Sequence, residues 1–218
     1  MIGIIRVFTT EQVEILEQHG KVIKKYYDVP TVTKCISNQH FGIFNDETEA
    51  LAVPKIVELG KKMEQEGSTL LVISCAADPA IDELRNAVSI PVIGAGSAAA
   101  LTALAIGEPV GVLGITETVP QVVKNLLGKL LVGNIRPEGV TNTTDLLTPT
   151  GRQKGLEAAR LLVDQGAKVI LFACTGFSTI GLADLLRDEL NVPIIDAVES
   201  EGMFAATLYR QLSISTIK

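Results

Sequence analysis

The two halves of this chain repeat each other, and that limits the possible folds more than any other feature. Gly3-Ile4-Ile5-Arg6-Val7-Phe8-Thr9-Thr10-Glu11 matches Gly111-Val112-Leu113-Gly114-Ile115-Thr116-Glu117-Thr118, each a buried-strand pattern running into a Thr-rich helix entry. Leu71-Val72-Ile73-Ser74-Cys75 matches Ile170-Leu171-Phe172-Ala173-Cys174, a strand ending in a cysteine. After one intervening helical stretch in each half come Ile90-Pro91-Val92-Ile93 and Val192-Pro193-Ile194-Ile195. Two copies of one small unit are the simplest source of such a match.

Within each copy, short β-branched runs alternate with longer helical patterns, which is how strand-helix-strand units of a parallel sheet read. Eight strands are expected: Ile2 to Phe8, Thr31 to Ile36, Leu70 to Ser74, Val92 to Gly94, Val110 to Ile115, Val132 to Ile135, Val169 to Ala173 and Val192 to Asp196. Helical stretches include Glu47 to Glu66, Pro79 to Val88, Arg152 to Gln165 and Leu182 to Leu190, with a break or kink expected at Pro54. Aromatic residues are only 4% and tryptophan is absent, while small and branched aliphatics dominate, the usual content of parallel strands under helices. The expected fold is therefore α/β: two similar Rossmann-like (flavodoxin-like) parallel-sheet units related by pseudo-twofold symmetry. The seam is placed near residue 100, giving a first unit of 1–97 plus about 200–218 and a second of 98–199.

A net charge of −6 with no clustered Lys and Arg argues against a nucleic-acid partner. Lys21, Lys24 and Lys25 read as a solvated helix face. No apolar run is long enough to span a bilayer, and none ends in a signal-peptide cleavage site, so no membrane partner and a cytoplasmic location are expected. Three cysteines make no secreted disulfide framework, and their spacing matches neither a zinc ribbon nor a redox pair. With only His19 and His40 to add, no metal site is expected.

In open parallel sheets, ligands bind beyond the carboxyl ends of the strands, where loops enter helices. Cys75 and Cys174 both stand there. If the units face each other about a pseudo-twofold axis, the thiols approach one cleft from opposite sides. Inverting a stereocentre needs that arrangement: one group removes a proton from one face while another delivers a proton to the other. An ordinary thiol pKa of roughly 8.5 allows one cysteine to be thiolate and its partner thiol. Backbone N–H groups in Cys75-Ala76-Ala77-Asp78 and Cys174-Thr175-Gly176-Phe177 would stabilise the developing anion, so no electron-sink cofactor is required. A lone cysteine ending a buried strand is usually a small hydrophobe; a pair at equivalent places in a repeat points to chemistry. Cys35 has no repeat partner and reads as core.

On these residues the chain resembles the aspartate/glutamate racemase superfamily over nearly its full length, and is most similar to its hydantoin racemase branch. The resemblance implies two Rossmann-like domains, each supplying one acid/base cysteine, here Cys75 and Cys174, and a homo-oligomer. Amino-acid racemases of the superfamily tend to show Cys-Asn-Thr and Cys-Thr-Glu at these places, where this chain has Cys-Ala-Ala-Asp and Cys-Thr-Gly-Phe. Many hydantoin racemases carry Asn-Pro-Asn after the first strand, where this chain has Val7-Phe8-Thr9-Thr10. Asp78 in the cleft would repel a substrate carboxylate but could accept hydrogen bonds from a neutral ring; equally, it could be a helix N-cap beside Pro79. The expected reaction is racemisation of 5-substituted hydantoins, with aspartate or glutamate as the alternative small-molecule substrates.

By position after their strands, Phe8, Thr9, Gly96, Ser97, Thr116, Glu117, Glu199 and Ser200 are candidate cleft residues, with Ala76, Ala77, Thr175 and Gly176 beside the cysteines. Residues 37–46, including His40, Phe41 and Gly42, are long enough to form a flap or substrate wall, although His40 by itself reads as a surface histidine. Two rival functions remain. Gly94-Ala95-Gly96-Ser97-Ala98-Ala99 fits the dinucleotide fingerprint with Ala in its third glycine position, and Glu117 ends the next strand. A cytosolic protein that clasps a ligand between two lobes without chemistry is the other.

Overall fold

The computed structural model describes residues 1–215. Strands β1 (Ile2–Arg6), β2 (Thr31–Cys35), β3 (Leu70–Ser74) and β4 (Val92–Gly94) form one sheet in the order β2-β1-β3-β4. Strands β5 (Val110–Leu113), β6 (Leu131–Ile135), β7 (Val169–Phe172) and β8 (Ile194–Ile195) form a second in the corresponding order, β6-β5-β7-β8. Every pairing is parallel. The eight expected strands are all present, several shorter than read: Phe8, Ile115 and Asp196 fall in the loops beyond β1, β5 and β8. The central strands β1, β3, β5 and β7 are buried along their whole length, because helices cover both faces. The edge strands β2 and β6 are only partly covered and accordingly carry Thr, Lys and Asn.

The helices are α1 (Val13–Tyr27), α2 (Asp46–Gln65), α3 (Ile81–Ala87), α4 (Ala95–Ile106), α5 (Gln121–Leu127), α6 (Gly151–Asp164), α7 (Gly176–Thr179), α8 (Leu182–Glu189) and α9 (Ala197–Ser215). At Pro54 the expected break is absent, and α2 runs through it without interruption. Proline removes the hydrogen bond to the carbonyl of Ala50, but both residues are exposed, so water can take that carbonyl.

The two sheets are held together by an exchange of helices. Helix α4 follows β4 of the first sheet, yet Ala95, Ala99, Ala100 and Ala103 pack with Val110, Val112 and Leu171 of the second. Helix α9 follows β8 of the second sheet, yet Val198, Ala205 and Ala206 pack with Ile2, Ile4, Leu70 and Val72 of the first. Alanines on α4 and α9 let the two helices approach each other closely, and each exchanged contact removes apolar area from water at about 25 cal/mol per Å². The packing fixes the two carboxyl-terminal sheet edges relative to one another. The last residues assigned to the first unit from sequence, 216–218, lie outside the described residues.

Candidate active site

A cleft of about 870 Å³ opens between the sheets at the carboxyl ends of their strands. Register places the cysteines equivalently: β3 pairs Ser74 with Arg6 on β1, and one residue later the chain reaches Cys75. Strand β7 pairs Phe172 with Leu113 on β5, and two residues later it reaches Cys174. Both thiols line the cleft. Neither is in a disulfide.

Their surroundings differ. Burial pushes the Cys75 thiol far above its ordinary value; an amide bond from Ala77 opposes this, while Cys174, Asp78 and Glu49 add to it. Burial also raises the Cys174 thiol, but amides of Gly176 and Phe177, the Thr143 hydroxyl and the Arg6 guanidinium favour its anion, leaving it at about 11. The Gly176 N–H lies 3.4 Å from Cys174 Sγ. Cys174 is thus the thiol more readily ionised in the free cleft, and Cys75 the one more firmly held as an acid.

Of the other residues singled out from sequence, Phe8, Ala76, Ala77, Thr116 and Thr175 line the cleft with the two thiols. Thr9 does not: its hydroxyl donates to the Ile36 carbonyl at 2.6 Å and accepts from the Gln39 N–H, fastening the loop after β2. Gly176 acts through its amide rather than as part of the wall. Asp78 is buried and turned away from the cleft; its two oxygens accept from the N–H groups of Gly96 at 2.6 Å and Ser97 at 2.9 Å. It caps α4, a helix far along the chain from it, and not the nearby α3, whose preceding residue Ala80 is left-handed. Glu199 and Ser200 also lie away from the cleft, Glu199 paired with Arg187 and Ser200 bonded to the Asp196 carbonyl.

The same contacts account for the glycine string. A side chain at Gly94 would run into the Asp78 carboxylate, and one at Gly96 into the Ala76 carbonyl at 2.0 Å. These glycines let the first cysteine loop press onto α4. The amides that would receive a dinucleotide phosphate already hold a carboxylate, so the fingerprint has a packing origin.

Residues 43–46 of the expected wall line the cleft, whereas His40 and Phe41 are exposed. The wall is held down by a Thr143 N–H bond to the Phe41 carbonyl. Charged residues of the cleft are mostly acidic: Asp46, Glu47, Glu49 and Glu117, against Arg6 and Arg136. Arg136 lies 4.0 Å from Glu117, a solvent-screened pair. Arg6 is buried on the cleft floor, and burial lowers its guanidinium to about 10, so it stays charged at neutral pH.

Arg6, His19 and Glu201 carry the most chemistry that sequence reasoning missed. A signal existed: Arg6 stands in an otherwise apolar strand, and Glu201 directly precedes the uncharged run Gly202-Met203-Phe204-Ala205-Ala206. Among the described residues, no group of three or more His, Cys, Asp or Glu is arranged to hold a metal ion, and no helix is long and apolar enough to cross a membrane.

Comparison with known proteins gives consistent findings. A family model described as Asp/Glu/Hydantoin racemase matches residues 14–201. A hydantoin racemase from Pseudomonas sp. (strain NS671) is 29% identical over 166 residues, covering 73% of this chain and 66% of that protein. The chain thus matches just under two thirds of that relative's length. Among solved structures, an allantoin racemase from Klebsiella pneumoniae superposes with a TM-score of 0.81 at 21% identity, covering 96% of this chain and 87% of that one. A glutamate racemase from Bacillus anthracis gives 0.72 at 18% identity, covering 98% and 83%. At such identities the two structures speak for the fold alone.

Proposed function

The chain belongs to the Asp/Glu/hydantoin racemase family, and from that premise we propose that it is a cofactor-independent racemase of 5-substituted hydantoins. The observation that carries this reading is the placement of two free thiols, at equivalent points of a repeated fold, on one cleft. The thiolate of one cysteine takes the proton from C5 of the ring. The C–H electrons move into the adjacent carbonyl, giving an enolate, and the opposite thiol delivers its proton to the other face. The cysteines then stand with their protonation reversed, ready for the other enantiomer. Arg6 supplies fixed positive charge beneath the site, where low dielectric strengthens its effect on thiolate and enolate.

The neutral ring is favoured over aspartate or glutamate by the charge of the lining. A dicarboxylate would need several cations, whereas this cleft offers the buried Arg6 and an Arg136 already facing Glu117, against four acidic side chains. Arg6 Nη1 is already committed to the carbonyls of Ile15 and Leu16. Acidic side chains suit the ring N–H donors of a hydantoin, and Phe8, Ile43, Phe44 and Ile115 offer apolar surface for a substituent.

Incubation in D₂O with enantiopure 5-substituted hydantoins, and separately with L-aspartate and L-glutamate, tests the proposal. Loss of optical rotation with deuterium uptake at the α-carbon of a hydantoin is the expected outcome. The same signal only on an amino acid would move the assignment within the family, and silence on all of them would defeat it. We also propose the unit boundaries 1–97 plus about 200–218 and 98–199, a homo-oligomeric state, and a cytoplasmic location, where thiols stay reduced. Limited proteolysis, sedimentation and cell fractionation respectively test these.

A further inference from the structure

Behind the cysteines, four elements from both halves converge on one imidazole. His19 of α1 is fully buried. Its Nδ1 lies 2.7 Å from the Ser74 hydroxyl, at the end of β3. Its Nε2 lies 3.2 Å from the Thr175 carbonyl and 2.9 Å from the Thr179 hydroxyl. Ser74 Oγ in turn lies 2.6 Å from Glu201 Oε1 on α9. Finally, the Thr175 hydroxyl donates back to the Ser74 carbonyl at 3.1 Å. Ser74 immediately precedes Cys75, and Thr175 immediately follows Cys174.

The protons on this chain can be counted. The Thr175 carbonyl can only accept, and the Thr179 hydroxyl, which accepts from Arg6, can pass its own proton to that carbonyl at 3.4 Å, so the arrangement that satisfies all of them puts a hydrogen on Nε2. The Ser74 hydroxyl has one proton and two neighbours, so it donates to one and accepts from the other. If it donates to Glu201, His19 must be an imidazolium beside an ionised, buried carboxylate. If it donates to Nδ1, His19 is neutral and Glu201 is a carboxylic acid donating to Ser74. The second arrangement fits the surroundings. Glu201 Oε2 is buried without a hydrogen-bond partner, which a carboxylate could not tolerate cheaply. The guanidinium of Arg6 reaches the same Thr179 hydroxyl at 3.2 Å, and a second cation there would be repelled. Burial pushes His19 well below and Glu201 well above their ordinary values, with Asp196, Asp78 and Arg6 the other charged groups felt by Glu201.

We infer that Glu201, Ser74, His19 and the Thr175 carbonyl form one uncharged chain of hydrogen bonds that ties the Cys75 loop to the Cys174 loop and sets the spacing of the two thiols. His19 is its positioning residue. The tie is specific to one side of the pseudo-twofold axis. At the repeat-equivalent positions stand Ala173 for Ser74 and Ala76 for Thr175, which can form no second copy. Because Glu201 is neutral, it leaves the charge of Arg6 uncancelled and free to act on the thiolate. The effect on turnover rests on the racemase reading; the proton count and the spacing do not.

The chain has only two histidines, so ¹⁵N imidazole NMR with His19→Gln for assignment reads the first claim directly. His19 should show the neutral Nε2–H tautomer, unchanged from about pH 5 to about pH 8. An imidazolium or an Nδ1–H tautomer in that range would overturn the inference. The spacing is read without turnover by crosslinking Cys75 to Cys174 with a short bifunctional thiol reagent. Glu201→Gln supplies an amide donor to Ser74 in place of the acid and should crosslink like the parent, whereas Glu201→Leu and His19→Phe should crosslink several-fold more slowly. Equal rates in all four proteins would remove the positioning role. On an active substrate, the latter two variants should lose about tenfold or more in kcat with KM within about twofold, and Glu201→Gln should lose neither. A Glu201→Gln variant as slow as Glu201→Leu would show that the carboxylate is needed ionised and defeat the neutral tie.

Discussion

Cys174 is followed by a helical turn whose first amides point at its sulfur, while Cys75 is followed by a left-handed turn at Asp78 and Ala80 that carries the chain away. Beneath Cys174 lies the field of Arg6, whose repeat-equivalent in the second sheet is Gly114. Around Cys75 the nearby charges are Asp78 and Glu49, both unfavourable to an anion. Duplication accounts for two thiols in equivalent places, and divergence around them makes Cys174 the more readily ionised of the two, the one that on the proposed reading is poised to act as base. On that reading the reaction must still run both ways, so the asymmetry would belong to the resting state, and the substrate's own proton would restore the balance within each turnover.

The strongest test of that division removes one thiol at a time. Cys75→Ser and Cys174→Ser should each lower racemisation by about 10³-fold or more, the scale of losing an acid or a base that touches the reacting carbon. Each should retain slow deuterium exchange on one enantiomer only, and on opposite enantiomers. Exchange of both enantiomers by either variant would mean that the thiols do not divide the two faces. Next in size is Arg6→Met, expected to lose about a hundredfold in kcat. Since the parent thiolate forms on the way up to about 11, kcat/KM should rise roughly tenfold per pH unit between about pH 7 and 9. Without the guanidinium that rise should move to higher pH, and Arg6→Lys should fall between. A profile unmoved in Arg6→Met would detach Arg6 from Cys174.

The two loops are each fastened to the next helix by a buried carboxylate, but from opposite ends. In the first unit Asp78 sits on the cysteine loop and reaches the amides that open α4. In the second, Asp196 follows β8, accepts from the amides of Val198 and Glu199, and reaches back to the Ser178 hydroxyl near the cysteine. Burial raises Asp196 from 3.8 to about 6. With the folded value above the unfolded one, the native state binds the proton more tightly. That stabilisation is complete below about pH 4 and lost as pH climbs through 6. Asp196→Asn keeps the single oxygen that serves all three donors and discards the charge. Relative to the parent it should gain on the order of 2 kcal/mol between pH 4 and 7, read by urea unfolding at both. An unchanged gap would place the titration elsewhere.

The eight strands and the two thiols were legible because they repeat, and repetition survives in a string of letters. Arg6, His19 and Glu201 do not repeat, and their meaning depends on helices that cross between units. The return of the last helix to the first unit was expected from the sequence, but nothing local shows that Glu201 arrives beside Ser74. Asp78 was visible as either a cap or a substrate contact, but which helix it caps depends on the approach of Gly94 and Gly96, glycines that by spacing alone read as a phosphate loop. Pro54 misled for a related reason: the penalty for proline in a helix depends on whether the freed carbonyl can meet water.

The finest distinction between the loops rests on one hydroxyl. Thr143 lines the cleft, and its hydroxyl favours the anionic form of Cys174 by hydrogen bonding, whereas the group that favours the Cys75 anion is a backbone amide, that of Ala77. A single such bond contributes about 1 kcal/mol, so Thr143→Val should slow turnover about fivefold. The loss should be largest below the thiol's pKa, where forming the anion limits the rate, and should shrink as alkaline pH forms it anyway. Thr143→Ser should restore most of the activity. Alkylation of Cys174 by iodoacetamide, followed by mass spectrometry, should slow by a similar factor while that of Cys75 does not. If both thiols slow together, the Thr143 side chain acts by packing against the wall at Gly42 and not through the sulfur, and the asymmetry would then rest on Arg6 and the amides of Gly176 and Phe177.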